Sequence, residues 1–180
     1  MIEVRVAHTG DAIHALRISE AYAESARSRG MGIAFRAESY IQKKMGEGDG
    51  VVAFVNEDIA GFCYIETFEN KKYVSNSGLI ILPQYREMGL AKRVKDKIFN
   101  LSRDKYPSSK IFSITTSGVV LKMNSDLGYR PVAFSELTSD DEFWANCQTC
   151  RNFDVLTRND RKLCLCTGMI YEDKEKKNDE

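Results

Sequence analysis

The sequence has no net charge and no long apolar run, and both absences narrow its function. Its 26 basic residues are balanced by 26 acidic ones, whereas nucleic acids and anionic membranes attract proteins with a net basic face. No apolar run approaches the ~20 residues of a transmembrane helix, and the first residues enter a strand pattern without a signal-peptide core. We therefore expect a cytoplasmic protein with neither a nucleic-acid nor a membrane partner.

Internal repeats are also absent, and 180 residues suffice for one domain with a well-developed core. Residues 1–135 are predicted to form that core. Residues 136–171 are predicted to form a Cys-rich extension whose last strand joins the core. Residues 172–180 are almost all charged or polar, which is typical of a disordered tail.

Hydrophobic periodicity and turn residues predict elements in the order β-α-α-β-β-β-α-β-α-β. Strands are predicted at 2–7, 51–55, 59–68, 73–82, 110–116 and 129–134, with a last strand at 163–171. Helices are predicted from a cap at Thr9 to about Arg27, with Ile13 and Leu16 on the inner side, and at 34–45, 86–106 and 119–127.

One stretch, from Leu79 to Lys92, combines an apolar strand, a tight turn and the start of a helix. The first amides of a helix have no intrahelical partner, and the macrodipole makes that end partly positive. Gly89 lets the turn wrap closely around an anion, and Arg86 and Lys92 add positive charge. The stretch therefore predicts a site for a phosphate or diphosphate.

This stretch, in the predicted order of elements, resembles the GNAT family of acyl-CoA-dependent N-acyltransferases. Arg86, Gly89 and Ala91 fill the places of the family's Arg/Gln-x-x-Gly-x-Gly/Ala motif, and Leu127-Gly-Tyr129 resembles its later Leu-Gly-Phe signature. The resemblance covers about residues 1–134. It implies an α+β fold with a mixed, mostly antiparallel central sheet flanked by helices, and acetyl-CoA or another short acyl-CoA as acyl donor.

The resemblance also implies roles for the backbone of the stretch. The main chain of Leu79, Ile80 and Ile81 would run beside the pantetheine arm of CoA. The amide near Ile81 would face the thioester carbonyl, where a donor stabilises the oxyanion. The diphosphate would be held by the amides of Glu87, Met88, Gly89, Leu90, Ala91 and Lys92.

Two positions depart from the family pattern. Asn124 stands where many members have a Tyr that protonates the leaving thiolate, and an amide is not a proton source. Ser117 stands where many members have an Asn that contacts the CoA arm. For the base that deprotonates the amine, Glu66 is the candidate, against the alternative of a solvated strand carboxylate; a nearby Ser75 would at best position a water.

The acceptor is expected to be a small molecule with a primary amine. Arg27, Arg29 and Arg36 lie where the family has its variable substrate wall, and guanidinium groups bind carboxylates in a bidentate manner. An amino acid is therefore one reading, and ordinary surface arginines are the other. More widely, the sequence is similar to acyltransferases that acylate glutamate at the start of arginine synthesis.

Four of the five cysteines cluster near the C-terminus as Cys147-Gln-Thr-Cys150 and Cys164-Leu-Cys166. Four thiolates form a closed tetrahedral zinc site, which would be structural because no position remains for water. The alternative is four small residues in a packed segment. A redox pair at Cys147 and Cys150 is less favoured, because no thioredoxin-like βαβ pattern surrounds it.

The sequence thus predicts an N-acyltransferase that moves an acetyl or other short acyl group from CoA to an amine. A second hypothesis is a CoA-binding sensor or interaction module that has lost catalysis, with a zinc-stabilised C-terminal segment that docks a partner. A homodimer is left open.

Overall fold

The computed structural model describes residues 1–29 and 35–173. The tail predicted at 172–180 lies outside these residues from position 174 onward. Within the described residues, no helix is long and apolar enough to cross a membrane.

Seven strands form one sheet in the order β1-β2-β3-β4-β5-β7-β6. Every neighbouring pair is antiparallel except β4 and β5, which are parallel. The predicted fold class, an α+β fold with a mostly antiparallel sheet and flanking helices, is confirmed. The strands are β1 (Ile2–Val6), β2 (Gly50–Val55), β3 (Asp58–Phe68), β4 (Tyr73–Ile81), β5 (Lys110–Thr115), β6 (Arg130–Val132) and β7 (Thr167–Tyr171).

The helices cover both faces of the sheet. Two of them, α1 (Ala15–Arg29) and α2 (Glu38–Gly46), pack on one face against side chains such as Phe62 and Ile80. Helix α3 (Leu90–Lys105) packs on the other face against β3 and β4, with α4 (Gly118–Asp126) beside it. Two short helices, α5 (Asp141–Ala145) and α6 (Phe153–Arg158), follow near the C-terminus.

A β-bulge divides β4 into two halves. The pairing of β3 with β4 shifts between Phe62 and Tyr64, and Gly78 at the shift has φ +65°. Because the side-chain alternation slips by one residue at a bulge, Asn76 before it and Leu79 after it both face α3. The bulge re-aims the backbone of β4 at its centre.

The parallel strands β4 and β5 separate after a short contact. Only Tyr73, Val74 and Ser75 of β4 pair with β5, and from Ser113 onward β5 pairs with β7 alone. The second half of β4, from Asn76 to Ile81, therefore has β3 on one side and, within residues 1–29 and 35–173, no strand on the other. We call the opening beside this half of β4 the cleft.

The Cys-rich C-terminal extension predicted from the sequence is not supported as a separate unit. Phe143, Trp144 and Leu156 are buried in one cluster with Phe68 of β3 and Phe112 of β5. The indole N–H of Trp144 also donates to the carbonyl of Thr138 at 2.8 Å. The segment is an integral layer over β5 and β7, because its large aromatic side chains are buried against the sheet.

Some predicted boundaries differ from the structure. Ile13 and Leu16 are exposed (82% and 53%), and the inner side of α1 carries Ala15, Ile18 and Tyr22 instead. A 3-10 helix, Thr9–His14, precedes α1 and changes the rotation of the chain, since it has three residues per turn. The region 147–160, predicted to be irregular, contains α6.

Candidate active site

The turn that enters α3 presents free backbone amides. Gly89 is the N-cap of α3 in the left-handed conformation (φ 73°), and no side chain caps the helix. Glu87 also has positive φ (68°), and residues 86–89 are exposed. Alternation of left-handed residues with ordinary ones turns successive N–H groups toward one point, which suits an anion. The first amides of α3 are thus open to a ligand, as the sequence predicts for a diphosphate.

The two basic residues of this turn are placed differently. The Arg86 Nε donates to the carbonyl of Ile81 at 3.4 Å, so its guanidinium lies across the end of β4. The Lys92 ammonium pairs with Asp96 at 3.0 Å one turn further along α3. Both side chains are exposed, and Arg86 is the one that lies over the mouth of the cleft.

Backbone amides of β4 point into the cleft. Ile81 is opposite Gly61 of β3, and the next pair along is joined by Leu82 N–H donating to Ala60 O at 2.9 Å. Since hydrogen-bonded and non-hydrogen-bonded pairs alternate in an antiparallel ladder, the amide of Ile81 points away from β3. The amide of Leu79, two residues earlier, shares that direction.

Tyr22 of α1 fixes the bulge. Its hydroxyl donates to the carbonyl oxygen of Gly78, and its side chain is fully buried. A trans peptide directs its N–H opposite to its C=O, so this bond also orients the amide of Leu79. A Cβ at position 78 would meet the Tyr64 ring and the Tyr22 hydroxyl, which explains the glycine.

Four side chains meet on the face of the sheet covered by α1 and α2; we call them the acceptor-side cluster. Arg36 donates through Nε to the hydroxyl of Tyr64, and its guanidinium lies over the rings of Tyr64 (5.7 Å) and Tyr40 (5.8 Å). The hydroxyl of Tyr40 donates to Glu66 Oε1 at 2.6 Å. The cluster is Arg36, Tyr40, Tyr64 and Glu66.

The electrostatics of the cluster fix its protonation. Burial raises the pKa of Tyr40 well above its usual range, and the Glu66 carboxylate raises it further. Burial also raises the pKa of Tyr64. Burial acts to lower the pKa of Arg36, but Tyr64 and Glu66 leave it above its ordinary value. Both phenols are therefore neutral and Arg36 is a cation: the Tyr40 hydroxyl donates to Glu66, and the Tyr64 hydroxyl accepts from Arg36.

The three predicted substrate arginines do not lie together. Arg27 is exposed on α1, and the side chain of Arg29 is outside the described part of the structure. Arg36 is half-buried in the acceptor-side cluster, and its carbonyl accepts from Ser19 Oγ at 2.7 Å. Of the two with described side chains, only Arg36 joins Glu66, the predicted base.

Asn124 is placed in the interior, not at the cleft surface. It is fully buried, its amide Nδ2 donates to the Met169 sulfur at 3.6 Å, and its Oδ1 has no hydrogen-bond partner among the described residues. This position gives Asn124 a packing contact with β7, and an amide held there is not a proton source, so its catalytic role stays a prediction from the sequence. Ser117 caps α4 through its hydroxyl, which accepts from Val120 N at 3.4 Å.

The four C-terminal cysteines line one small apolar cavity with Phe134 and Leu156. Burial raises the pKa of the Cys147 thiol to about 11 and that of the Cys166 thiol to about 12. Among residues 1–29 and 35–173, no group of three or more His, Cys, Asp or Glu side chains is arranged to hold a metal ion. The predicted zinc site at Cys147, Cys150, Cys164 and Cys166 is thus not supported, and small packed residues remain the simpler reading.

Sequence reasoning missed Tyr22, Tyr40 and Tyr64. Each of the three hydroxyls makes a contact between elements that are far apart in the chain, and nothing local to the sequence marks such pairs. A weaker signal was available: Gly78 lies inside the predicted strand 73–82, and an isolated glycine in a strand suggests a bulge.

Comparison of the sequence with protein-family models gives no match, and neither does comparison with curated proteins. Solved structures do match. One is N-acetylglutamate synthase from Neisseria gonorrhoeae complexed with coenzyme A and N-acetyl-glutamate: TM-score 0.64 and 15% identity over 94% of this chain and 34% of that one. Another is Rv2747 from Mycobacterium tuberculosis in complex with CoA: TM-score 0.64 and 14% identity over 93% and 97% of the two chains.

A third is the ribosomal-protein-S18-alanine N-acetyltransferase from Escherichia coli, with TM-score 0.57 and 11% identity over 97% of each chain. This chain spans about a third of the gonococcal synthase but nearly the whole of the other two. The chain therefore has the fold of the GNAT acetyltransferases, and the resemblance seen in the sequence is confirmed at the level of fold.

Proposed function

We propose that this protein transfers an acetyl or other short acyl group from CoA to the primary amine of a small molecule. Among the observations that support the proposal, one carries it. The cleft beside β4, with inward amides at Leu79 and Ile81, ends at the uncapped N-terminus of α3. One opening thus offers donors for a long polar arm and, at its mouth, amides for a diphosphate. Acyl-CoA has both parts.

The amides at the bulge supply the electrostatic part of the reaction. When the amine attacks the thioester, the carbonyl oxygen becomes negative, and a fixed donor there stabilises the transition state; removal of one such donor costs about 2.7–4 kcal/mol in other enzymes. Leu79 and Ile81 provide amides in that direction, and Tyr22 holds the bulge rigid through Gly78. A preorganised backbone donor does not depend on any side chain of the cleft.

The acceptor-side cluster supplies the amine site. Glu66 accepts one hydrogen bond from Tyr40 and keeps its other oxygen available to take a proton from the amine, directly or through water. Ser75 and Ser77, whose hydroxyls are 2.7 Å apart, offer positions for such a water. A primary amine bound here would be deprotonated beside the thioester.

Arg36 favours an acceptor that carries an anionic group. Its Nε is used by Tyr64 and its NH1 donates to the carbonyl of Phe35 at 3.1 Å. The remaining NH2 group, held in a cation between two aromatic rings, can bind a carboxylate. An amino acid such as glutamate fits this requirement. The gonococcal structure with the same fold contains N-acetyl-glutamate, which makes glutamate the first acceptor to test.

The experiment is a thiol-release screen with purified protein. Acetyl-CoA and succinyl-CoA are each incubated with glutamate, ornithine, a polyamine and a peptide with a free N-terminus, and free thiol is measured over time. We expect release with acetyl-CoA and an amino acid that carries an additional carboxylate. No release above the amine-free rate with any pair would contradict the proposal.

A second candidate function is a CoA-binding module without catalysis, which the interior position of Asn124 favours. It shares the cleft and the α3 turn with the first candidate, so it also predicts CoA binding measurable by calorimetry. The two separate in the screen above: the module binds CoA yet releases no thiol with any amine.

A further inference from the structure

Helix α3 buries a lysine on its sheet-facing side. Lys95 is 2% exposed and lies among Val94, Ile98 and Phe99, all of which are buried. Lysine is almost never fully buried unless it is paired. Among the described residues no carboxylate lies within ion-pair distance of Lys95, although the neighbouring Lys92 pairs with Asp96. A buried cation without a counter-charge is costly, so its position calls for a function.

The β4 residue that lies beside Lys95 can be found from Ser102, which is two helical turns further along α3. Ser102 Oγ accepts a hydrogen bond from Asn76 Nδ2 at 2.7 Å, so Ser102 lies beside Asn76. Asn76 is the first residue of β4 that has no partner on β5. Seven residues of helix span about 10 Å, and three residues of strand span the same length. Because α3 runs back along β4, Lys95 lies level with Leu79, immediately after the bulge.

The contacts of the Lys95 ammonium also place it beside the bulge of β4. Lys95 Nζ is 5.1 Å from the ring centroid of Tyr129, and it interacts electrostatically with Cys63. Cys63 lies at the register shift, and its thiol donates to the carbonyl of Ser77 at 3.2 Å. The ammonium therefore lies beneath the bulge, on the face of the sheet covered by α3.

The titratable groups that face Lys95 carry no charge near neutral pH. Burial raises the pKa of Cys63, on β3, to about 12, and it raises the pKa of Tyr129, which precedes β6, well above its usual range. Burial lowers the pKa of Lys95 itself from 10.5 to about 8. Burial thus makes the Lys95 ammonium a stronger acid than the ammonium of an exposed lysine.

The transfer reaction needs a proton for the leaving sulfur. As the amine attacks, the bond from carbon to nitrogen forms, the bond from carbon to sulfur breaks, and its electron pair goes to sulfur. Asn124, at the place of the family's acid, is buried against Met169 and donates no proton. A thiolate that leaves beside the bulge would lie on the same stretch of β4 that covers this ammonium.

We propose that Lys95 is the proton donor to the leaving thiolate, an inference that rests on the proposed acyl transfer. The ammonium gives one proton to sulfur, which yields the CoA thiol and a neutral lysine. The amine nitrogen, cationic after attack, loses its proton to Glu66 or water. Solvent then reprotonates Lys95 before the next turnover, so protons and charge balance over the cycle.

The first experiment needs no turnover. The thiol of bound CoA is titrated by its thiolate absorbance, as a difference spectrum against CoA-free protein, in wild type, Lys95→Met and the exposed control Lys97→Met. A neighbouring cation lowers the pKa of an acid because it stabilises the anion. We expect the thiol of bound CoA to titrate at a lower pH in wild type and in K97M than in K95M. A bound thiol that titrates as it does in free CoA overturns the proposal.

The second experiment is kinetic and includes Lys95→Arg, which keeps the charge but is a poor proton donor. We expect kcat to fall roughly ten- to a hundredfold in K95M and in K95R, with KM for acyl-CoA little changed. In wild type, kcat declines above about pH 8, as Lys95 loses its proton; this decline is absent from K95M. Unchanged kcat in K95M would refute the role.

Melting temperature separates catalysis from structure. Loss of a buried unpaired charge relieves a desolvation penalty, so K95M should melt at the wild-type temperature or above it; lower kcat with lower melting temperature in K95M would indicate a structural role and overturn the proposal.

The experiments also distinguish a failure of the Lys95 proposal from a failure of the proposed acyl transfer. A shifted CoA thiol with no acylated amine refutes acyl transfer alone, whereas acyl transfer with an unshifted thiol refutes Lys95 alone.

Discussion

The hydroxyl of Tyr22, on the first helix, donates a hydrogen bond to the carbonyl oxygen of Gly78, 56 residues later in the bulge of β4. This bond joins the α1 layer to the strand whose amides face the cleft. It determines the direction of the Leu79 amide, because the peptide that follows Gly78 is planar and trans. The geometry of the cleft is thereby tied to a buried residue of α1.

Replacement of Tyr22 by Phe removes this bond and keeps the ring. We expect kcat to fall about tenfold, since loss of roughly 1.4 kcal/mol of transition-state stabilisation has that effect, and KM for acyl-CoA to change little. The measurement is steady-state thiol release with a melting curve. Tyr73→Phe is the matched control, because that hydroxyl makes a 3.5 Å contact with Glu136 far from the bulge; an equal loss in both variants would contradict the assigned role.

Gly78→Ala tests how tightly the bulge packs against Tyr22 and Tyr64. The added Cβ would lie 2.6 Å from the Tyr22 hydroxyl and would also meet the Tyr64 ring. Gly48 is a control with the same φ of +65° and nothing within 4 Å of its Cβ. Gly48→Ala should lower the free energy of unfolding by about 1 kcal/mol from backbone strain alone, and Gly78→Ala by about 1–3 kcal/mol more. Urea unfolding measures both, and similar losses would count against a tightly packed bulge.

Gly89→Asp tests the diphosphate site at the start of α3. Asp tolerates the left-handed conformation and suits an N-cap, so the fold should be unharmed. Its carboxylate would occupy part of the space for the diphosphate and would repel the diphosphate by its charge. We expect the dissociation constant for CoA to rise about tenfold or more. Gly89→Asn has the same shape without the charge. If calorimetry gives the same affinity for both variants, the diphosphate does not bind at this turn.

Arg36→Lys tests the acceptor side. Lysine keeps the charge but loses the planar group that lies over Tyr40 and Tyr64. We expect KM for the acceptor amine to rise about tenfold, with KM for acyl-CoA unchanged, as for the loss of a charge-assisted hydrogen bond of about 1.5–3 kcal/mol. Arg27→Lys, on the exposed side of α1, should behave as wild type. The reverse ranking would move the acceptor site to Arg27.

The sequence predicted the sheet, most of its strands and the turn before α3 because these depend on local patterns. Alternation marks strands such as β3, and a glycine followed by an apolar face marks the start of α3. The C-terminal layer was harder: the pattern at residues 136–166 shows clustered aromatic and cysteine residues but not the partners, Phe68 and Phe112, that bury them.

The polar contacts of the site were not predictable from local patterns, because each joins distant segments. Nothing near Tyr22 or Arg36 in the sequence indicates Gly78 or Tyr64. Lys95 is an exception. Its spacing from Ala91 and Ser102 places it on the face of α3 that packs against the sheet. A buried lysine was therefore predictable from the sequence, although a count of apolar residues alone does not detect it.

Acyl transfer itself can be tested directly by one measurement. Acetyl-CoA labelled with ¹³C in the acetyl group is incubated with the protein and glutamate, and both free CoA thiol and labelled N-acetyl product are quantified by mass spectrometry. The account predicts thiol and labelled product in equal amounts, both reduced in the Tyr22→Phe variant. Thiol release without labelled product would show hydrolysis rather than transfer, and that result, repeated across the amine panel, would contradict the central claim.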